Sequence, residues 1–215
     1  VFEEIIAAGD TPVAITISSK LSGTYQCAAV AAAEFPGKAY AVDSLNACIG
    51  ERILVERAFQ LIDEGVSPEE LVRILDREKE DICLLALLDT LEYLKKGGRI
   101  SAAAALAGGL LSIKPVISVE NGEVVCVGKA RGSKHGNNLL NEFISRKGGV
   151  DFKKPVVLGY TGLDERLLQK YIADSEKLWK DNTDSLPICP IGSTIGTHVG
   201  PGAVAAAFFA EDIRA

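Results

Sequence analysis

Three short segments gather hydroxyl, imidazole and guanidinium groups around glycine. The first is Ser18 to Gln26 (SSKLSGTYQ), which follows a β-branched run and opens an alanine-rich stretch of helical character. In open α/β sheets ligands gather at the carboxyl ends of strands, and a helix start offers free N–H groups and a positive dipole end to an anion. Ser22 and Thr24 would add hydroxyl donors, and Gly23 would let a ligand approach the backbone. The same residues also read as an ordinary serine or threonine helix cap. The second segment, Ile195 to Gly202 (IGTHVGPG), sets three glycines around His198 and reads as a flexible loop. Its imidazole could donate to a carboxylate or exchange a proton, or could sit incidentally in a turn. The third is Gly97-Gly98-Arg99-Ile100-Ser101, in which Arg99 could fork onto a carboxylate or phosphate, or simply follow a helix stop. Arg131-Gly132-Ser133 invites the same two readings, whereas His135 in its polar segment reads as surface.

Signatures of stand-alone catalysis are scarce. The sequence contains no GxxxxGK[ST] loop, no HExxH and no GxSxG elbow. A stand-alone acyl hydrolase or transferase would need His198 and an acid to converge on Ser22, and no carboxylate is marked for the third role. A phosphoryl-transfer protein using the glycine loops and arginines is a further alternative.

The elements around these segments alternate. Phe2 to Ala8 reads as the tail of a helix ending at Gly9, Pro12 to Ser19 as a buried strand, and Thr24 to Phe35 as a helix. A strand over Lys38 to Ser44 precedes a helix reaching about Glu64. Ser67-Pro68-Glu69-Glu70 is a capping-box start for a helix to about Glu80. Ile82 to Leu88 is a third apolar strand, followed by a helix that stops at Gly97-Gly98. This alternation predicts an open, parallel, Rossmann-like sheet for residues 1–108. Beyond it, Asn121-Gly122 between Pro115 to Val119 and Glu123 to Gly128 is a strong hairpin signal. A helix, the strand Pro155 to Tyr160, a helix near Asp164 to Lys180, a strand near Leu186 to Ile191 and a last helix over Ala203 to Phe209 complete the reading. Residues 109–215 therefore read as a mixed or antiparallel α/β domain. Two domains meeting near Gly108 without a linker imply a cleft suited to a ligand. The small residues Ala102 to Ala105, Ala107, Gly108 and Gly109 could leave room there, or serve close helix packing.

Composition bounds the partners. The 215 residues carry a formal charge of −6, with a pI near 5.1, against a nucleic-acid partner, which would call for a basic face. Five cysteines, no two within four residues, lack the compact zinc and redox spacings and read as buried free thiols in a reducing cytoplasm. Neither uncharged stretch, Ile100 to Ile113 or Ser185 to Ala210, reads as a membrane span, one being short and the other broken by prolines and glycines. No methionine occurs, even at position 1, so Val1 reads as lying downstream of the natural start.

Five runs, in order and across nearly the whole chain, resemble the DegV family of bacterial fatty-acid-binding proteins. They are Ile17 to Gln26, Val42 to Ala47 (VDSLNA), Asp89 to Ser101 (DTLEYLKKGGRIS), Ala105 to Val116 (ALAGGLLSIKPV) and Ile195 to Ala203. The resemblance implies a two-domain α/β protein that holds a long-chain fatty acid (C14–C18) in a tunnel between its domains, with no other cofactor. It implies a carrier, in some members the lipid-binding subunit of a fatty acid kinase, whose separate ATP-binding subunit phosphorylates the carboxylate. Carried over, Ser22, Gly23, Thr24 and His198 would bind the carboxylate. Arg99, Arg131 and Thr197 would lie near the tunnel mouth or the kinase-facing surface. The family also has an upstream Thr-Ser-Gln-Pro-like motif contributing to the head-group site, ahead of the point where this chain starts.

Overall fold

The computed structural model describes residues 1–101, 113–179, 183 and 185–211. After a short helix α1 (Phe2–Ala7), the β-branched run forms β1 (Val13–Thr16) and leads through α2 (Thr24–Ala33) to β2 (Tyr40–Asp43). The two strands pair in parallel, from Val13 opposite Tyr40 to Thr16 opposite Asp43. Helix α3 (Cys48–Asp63) follows, then α4 (Pro68–Glu78) and a 3-10 turn (Lys79–Asp81). The start of α4 is as expected: Pro68 occupies the first turn and Ser67 Oγ accepts the Glu70 N–H at 3.4 Å.

The remaining strands form a second sheet. These are β3 (Ile82–Leu87), β4 (Ile113–Glu120), β5 (Glu123–Arg131), β6 (Val157–Tyr160), β7 (Ile188–Pro190) and β8 (Val204–Phe209), in the order β5-β4-β3-β8-β6-β7. The pairs are antiparallel except β6 with β7. Asn121 (φ 51°) and Gly122 (φ 83°) make the two-residue turn between β4 and β5. Two positive φ values match the strand twist of a hairpin, which is why asparagine and glycine stand there. The sheet is covered on both sides. One face packs Leu84, Ala86, Ala205 and Ala207 with residues of α3 such as Ile53 and Leu54. The other packs Leu85, Leu87, Ala206 and Phe208 with residues of α6 (Gly132–Arg146) and α7 (Arg166–Asp174), while Trp179 of α8 (Glu176–Trp179) joins the same cluster.

Three expectations are corrected here. Ile82 to Leu88 was expected in the parallel N-terminal sheet, yet β3 lies between β4 and β8, antiparallel to both. A strand buried on both faces is apolar throughout, so its sequence carries no record of its partners' direction. Ala203 to Phe209 was expected as a helix and is β8, because double burial removes the period-two pattern and alanine favours helices. The segment expected as a loop around His198 is α9 (Ser193–Val199), which ends at Gly200 (φ 77°). The small residues between Ala102 and Gly109, and the boundary near Gly108, lie outside the described residues. The change of sheet falls earlier, ahead of Ile82.

Candidate functional site

A cavity of about 270 Å³ opens where the β1–β2 unit meets the face of the six-stranded sheet that carries Ala86 and Ala205. Its volume is near the lower end of the roughly 300–1,000 Å³ usual for small-molecule sites. The wall is mainly aliphatic: Leu84, Ala86 and Leu88 from β3 and just beyond, Ile117 and Val119 from β4, Ala203 and Ala205 at β8, and Ile191 after β7. Polar side chains are few and come from the segments singled out in the sequence: Ser22, Thr24, Arg99 and His198, with Thr194 added by α9.

The loop between β1 and α2 is built by its own hydrogen bonds. Ser18 is fully buried and donates from Oγ to the Gly122 carbonyl at 2.7 Å, tying this loop to the tip of the β4–β5 hairpin. Asp43, at the end of β2, accepts the N–H groups of Ser19 (3.1 Å) and Leu45 (3.0 Å). Ser22 Oγ and Thr24 Oγ1 are 2.8 Å apart, and Thr24 N–H also donates weakly to Ser22 Oγ at 3.4 Å. Both residues line the cavity, and each hydroxyl retains hydrogen-bonding capacity beyond this pairing. Gly23 is exposed at the helix cap with φ −73° and does not line the cavity.

His198 sits in the last turn of α9, against the end of α5 (Glu92–Lys96). Its Nδ1 is buried without a hydrogen-bond partner among the described residues. The ring rests on Gly97: a Cβ there would lie 2.7 Å from Cε1 and closer still to Nδ1. Gly200 serves the same junction, since a Cβ there would lie 2.5 Å from Tyr93 Cε2. With Nδ1 shut away, the tautomer protonated on Nε2 would leave only a lone pair unpartnered there and keep the donor on the other ring nitrogen. Arg99 braces the arrangement, donating from Nε to the Leu21 carbonyl (3.3 Å) and from Nη1 to the Gly97 carbonyl (2.6 Å). It therefore fastens the Ser22 loop to the seat of His198.

Other expected residues lie elsewhere. Thr197 is exposed and donates to the Ser193 carbonyl within α9 at 2.8 Å. Arg131 is exposed at the end of β5, outside the cavity lining, and His135 is on the surface as expected. The cysteines were expected to be buried, but Cys27 is exposed and the other four are partly buried. Cys48, which the sequence reading passed over, lines the cavity, and burial pushes its thiol up to about 11, so it is a neutral wall group rather than a thiolate nucleophile at neutral pH. Its φ of 57° is unusual for a non-glycine residue. Among the described lining residues none is Asp or Glu, so no carboxylate there could orient His198 as a general base. The described residues contain no group of three or more His, Cys, Asp or Glu placed to hold a metal, and no helix among them is long and apolar enough to cross a membrane.

The aliphatic lining was the part missed in sequence. Period-two spacing of Leu84, Ala86 and Leu88 marks one face of β3, but nothing in that spacing distinguishes a cavity wall from a filled core.

Known proteins resemble the chain over almost its whole length. A DegV domain-containing protein of Caldanaerobacter subterraneus is 31% identical, the match covering 98% of this chain and 74% of that protein. A fatty acid-binding protein of Thermotoga maritima is 32% identical over 91% of this chain and 67% of its own length. Among solved structures, a fatty-acid-binding DegV family protein from Thermus thermophilus superposes with a TM-score of 0.83 at 32% identity, covering 97% of this chain and 74% of that one. A DegV family protein from Eubacterium eligens loaded with heptadecanoic acid gives 0.80 at 25% identity, over 98% and 76% of the two chains. The family model described as "uncharacterised protein, DegV family" matches residues 1–211, and the chain belongs to that family.

Proposed function

We propose that the chain binds a long-chain fatty acid, in the C14–C18 range, with its tail along the aliphatic wall and its carboxylate at Ser22, Thr24 and His198. The observation that carries this reading is the composition of the lining: its polar side chains are few, with Ser22, Thr24, Arg99 and His198 drawn from two loops and a helix end and Thr194 apart from them at the start of α9, and nearly all else is hydrocarbon. An amphiphile with one compact anionic end fits that division. Fatty-acid binding by the relatives from Thermotoga maritima and Thermus thermophilus supports it.

The energetics are consistent. About fifteen methylenes at ~0.8 kcal/mol each supply roughly 12 kcal/mol of gross transfer energy. Association and ordering consume ~4–15 kcal/mol, so the tail must be almost wholly buried. The head group then adds orientation and a modest increment. In a chain of net charge −6 the donors for an anion must be local, and two hydroxyls, an imidazole and Arg99 provide them.

The chain acts as a carrier and substrate-presenting subunit in the cytoplasm, with no catalytic step of its own. Thr24 and Arg99 are exposed at the polar end, so a carboxylate held there is open to a second protein while the tail stays covered. The partner is an ATP-binding kinase subunit that forms the acyl phosphate.

Two assays test the reading. Competition against a fluorescent fatty acid should show palmitate binding well and its methyl ester at least tenfold more weakly; equal binding would remove the carboxylate role. With ATP and palmitate, the chain alone should form no acyl phosphate, and the addition of an ATP-binding partner should restore it. Phosphorylation by the chain alone would overturn the carrier assignment.

A further inference from the structure

We infer that the longest acyl chain the cavity accepts is set by a row of small side chains across the six-stranded sheet and by Ile191, which closes that row; the inference rests on the fatty-acid reading above. Register places Ile117 beside Ala86, Ala86 beside Ala205, and Ala205 beside Gly159. Ala86 and Ala205 line the cavity and are themselves buried, at 6% and 3% exposure. Their β3 neighbours on the same face are Leu84 and Leu88. Two methyl groups side by side at the centre of a sheet, where branched side chains ordinarily fill the space, leave a trough running across the strands.

The trough would continue over Gly159, which has no side chain, but Ile191 occupies that space. A Cβ at Gly159 would lie 3.1 Å from Ile191 Cδ1 and 3.2 Å from Ile49 Cδ1. Ile191 lines the cavity whereas Gly159 and Ile49 do not, so Ile191 is the wall between the cavity and the glycine. Its backbone is pinned, with Ile191 N–H donating to the Tyr160 carbonyl at 2.8 Å. It stands two residues ahead of α9, near whose far end His198 lies. Seven helical residues span about 10 Å, so His198 and Ile191 stand toward opposite ends of α9, with Thr194 at the Ile191 end.

The test is competitive loading. Delipidated protein is given an equimolar mixture of saturated C12 to C20 acids, and the bound species are weighed by native mass spectrometry. Ile191→Ala removes three side-chain carbons and should move the preferred acid about two carbons longer, each newly buried methylene favouring the longer acid about fourfold. Ala205→Val should move it shorter, and Ala205→Leu further; thermal melts identify any variant that fails to fold, and Ile191→Ala and Ala205→Val then carry the test. An unchanged distribution in both, with the wild type loading normally, would overturn this inference and leave the carrier reading intact. A wild type that takes up none of the acids would overturn the carrier reading and this inference with it.

Discussion

Replacing Gly97 with alanine tests whether close packing holds His198 toward the cavity. Gly97 has φ −75° and ψ −8°, a helical conformation that alanine adopts freely. Backbone strain is therefore absent, and the exchange should even favour the helix end by about 0.5–1 kcal/mol. The steric effect has the opposite consequence. The new Cβ would lie 2.7 Å from His198 Cε1 and closer still to Nδ1, so the ring must retreat by well over 1 Å to reach an ordinary contact of roughly 3.5–4.0 Å. A hydrogen bond from Nε2 to a carboxylate, formed near 2.8 Å, does not survive such a displacement. Losing a bond to a charged group costs about 1.5–3 kcal/mol, so fatty-acid affinity should fall by roughly 10- to 150-fold. Titration with a fluorescent fatty acid reads the affinity, and a thermal melt reads the fold. In a His198→Ala background the same Gly97→Ala change should do nothing further to affinity, because the ring it displaces is gone. Unaltered binding by Gly97→Ala, or a full additional loss in the His198→Ala background, would refute the reasoning.

Other expectations are independent of that junction. Ser22→Ala should weaken fatty-acid binding about tenfold while leaving the melting temperature nearly unchanged; wild-type affinity would remove Ser22 from the head-group site. Ser67→Ala deletes the cap on α4 and should lower stability by about 1 kcal/mol in urea unfolding, with no effect on binding. Burial raises the Glu51 carboxyl from 4.5 to about 6. The folded chain then holds a proton that the unfolded chain releases, so stability falls as pH rises from about 4.5 to 6. Glu51→Gln should therefore stabilise by about 1 kcal/mol at pH 7.5, allowing for partial exposure, and have little effect at pH 4. Equal urea midpoint shifts at the two pH values would contradict that account.

What could be read in advance follows from how locally each feature is determined. Asn121-Gly122 and Ser67-Pro68 act through their own backbone and cap, and both elements stand where their residues indicate. Ser22, Thr24, Arg99 and His198 were picked out by residue type beside glycine, and the fold brings all four to one cavity. Gly97 and Gly200 were seen as punctuation, but each is small because an aromatic or imidazole ring from the other segment rests on it. That reason is tertiary and leaves no local trace. The same limit explains β8, whose alanines face a cavity on one side and a packed core on the other and so mimic a helix. Ser18 opens the same segment and was given no role, yet its hydroxyl ties the loop to the hairpin tip over a hundred residues away.

The most direct test of the central claim is native mass spectrometry of the purified chain, followed by denaturing extraction and identification of any bound lipid. The account predicts one fatty acid per chain, C14 to C18, either retained from expression or taken up from added acid. A mass that stays empty after incubation with palmitate would contradict it.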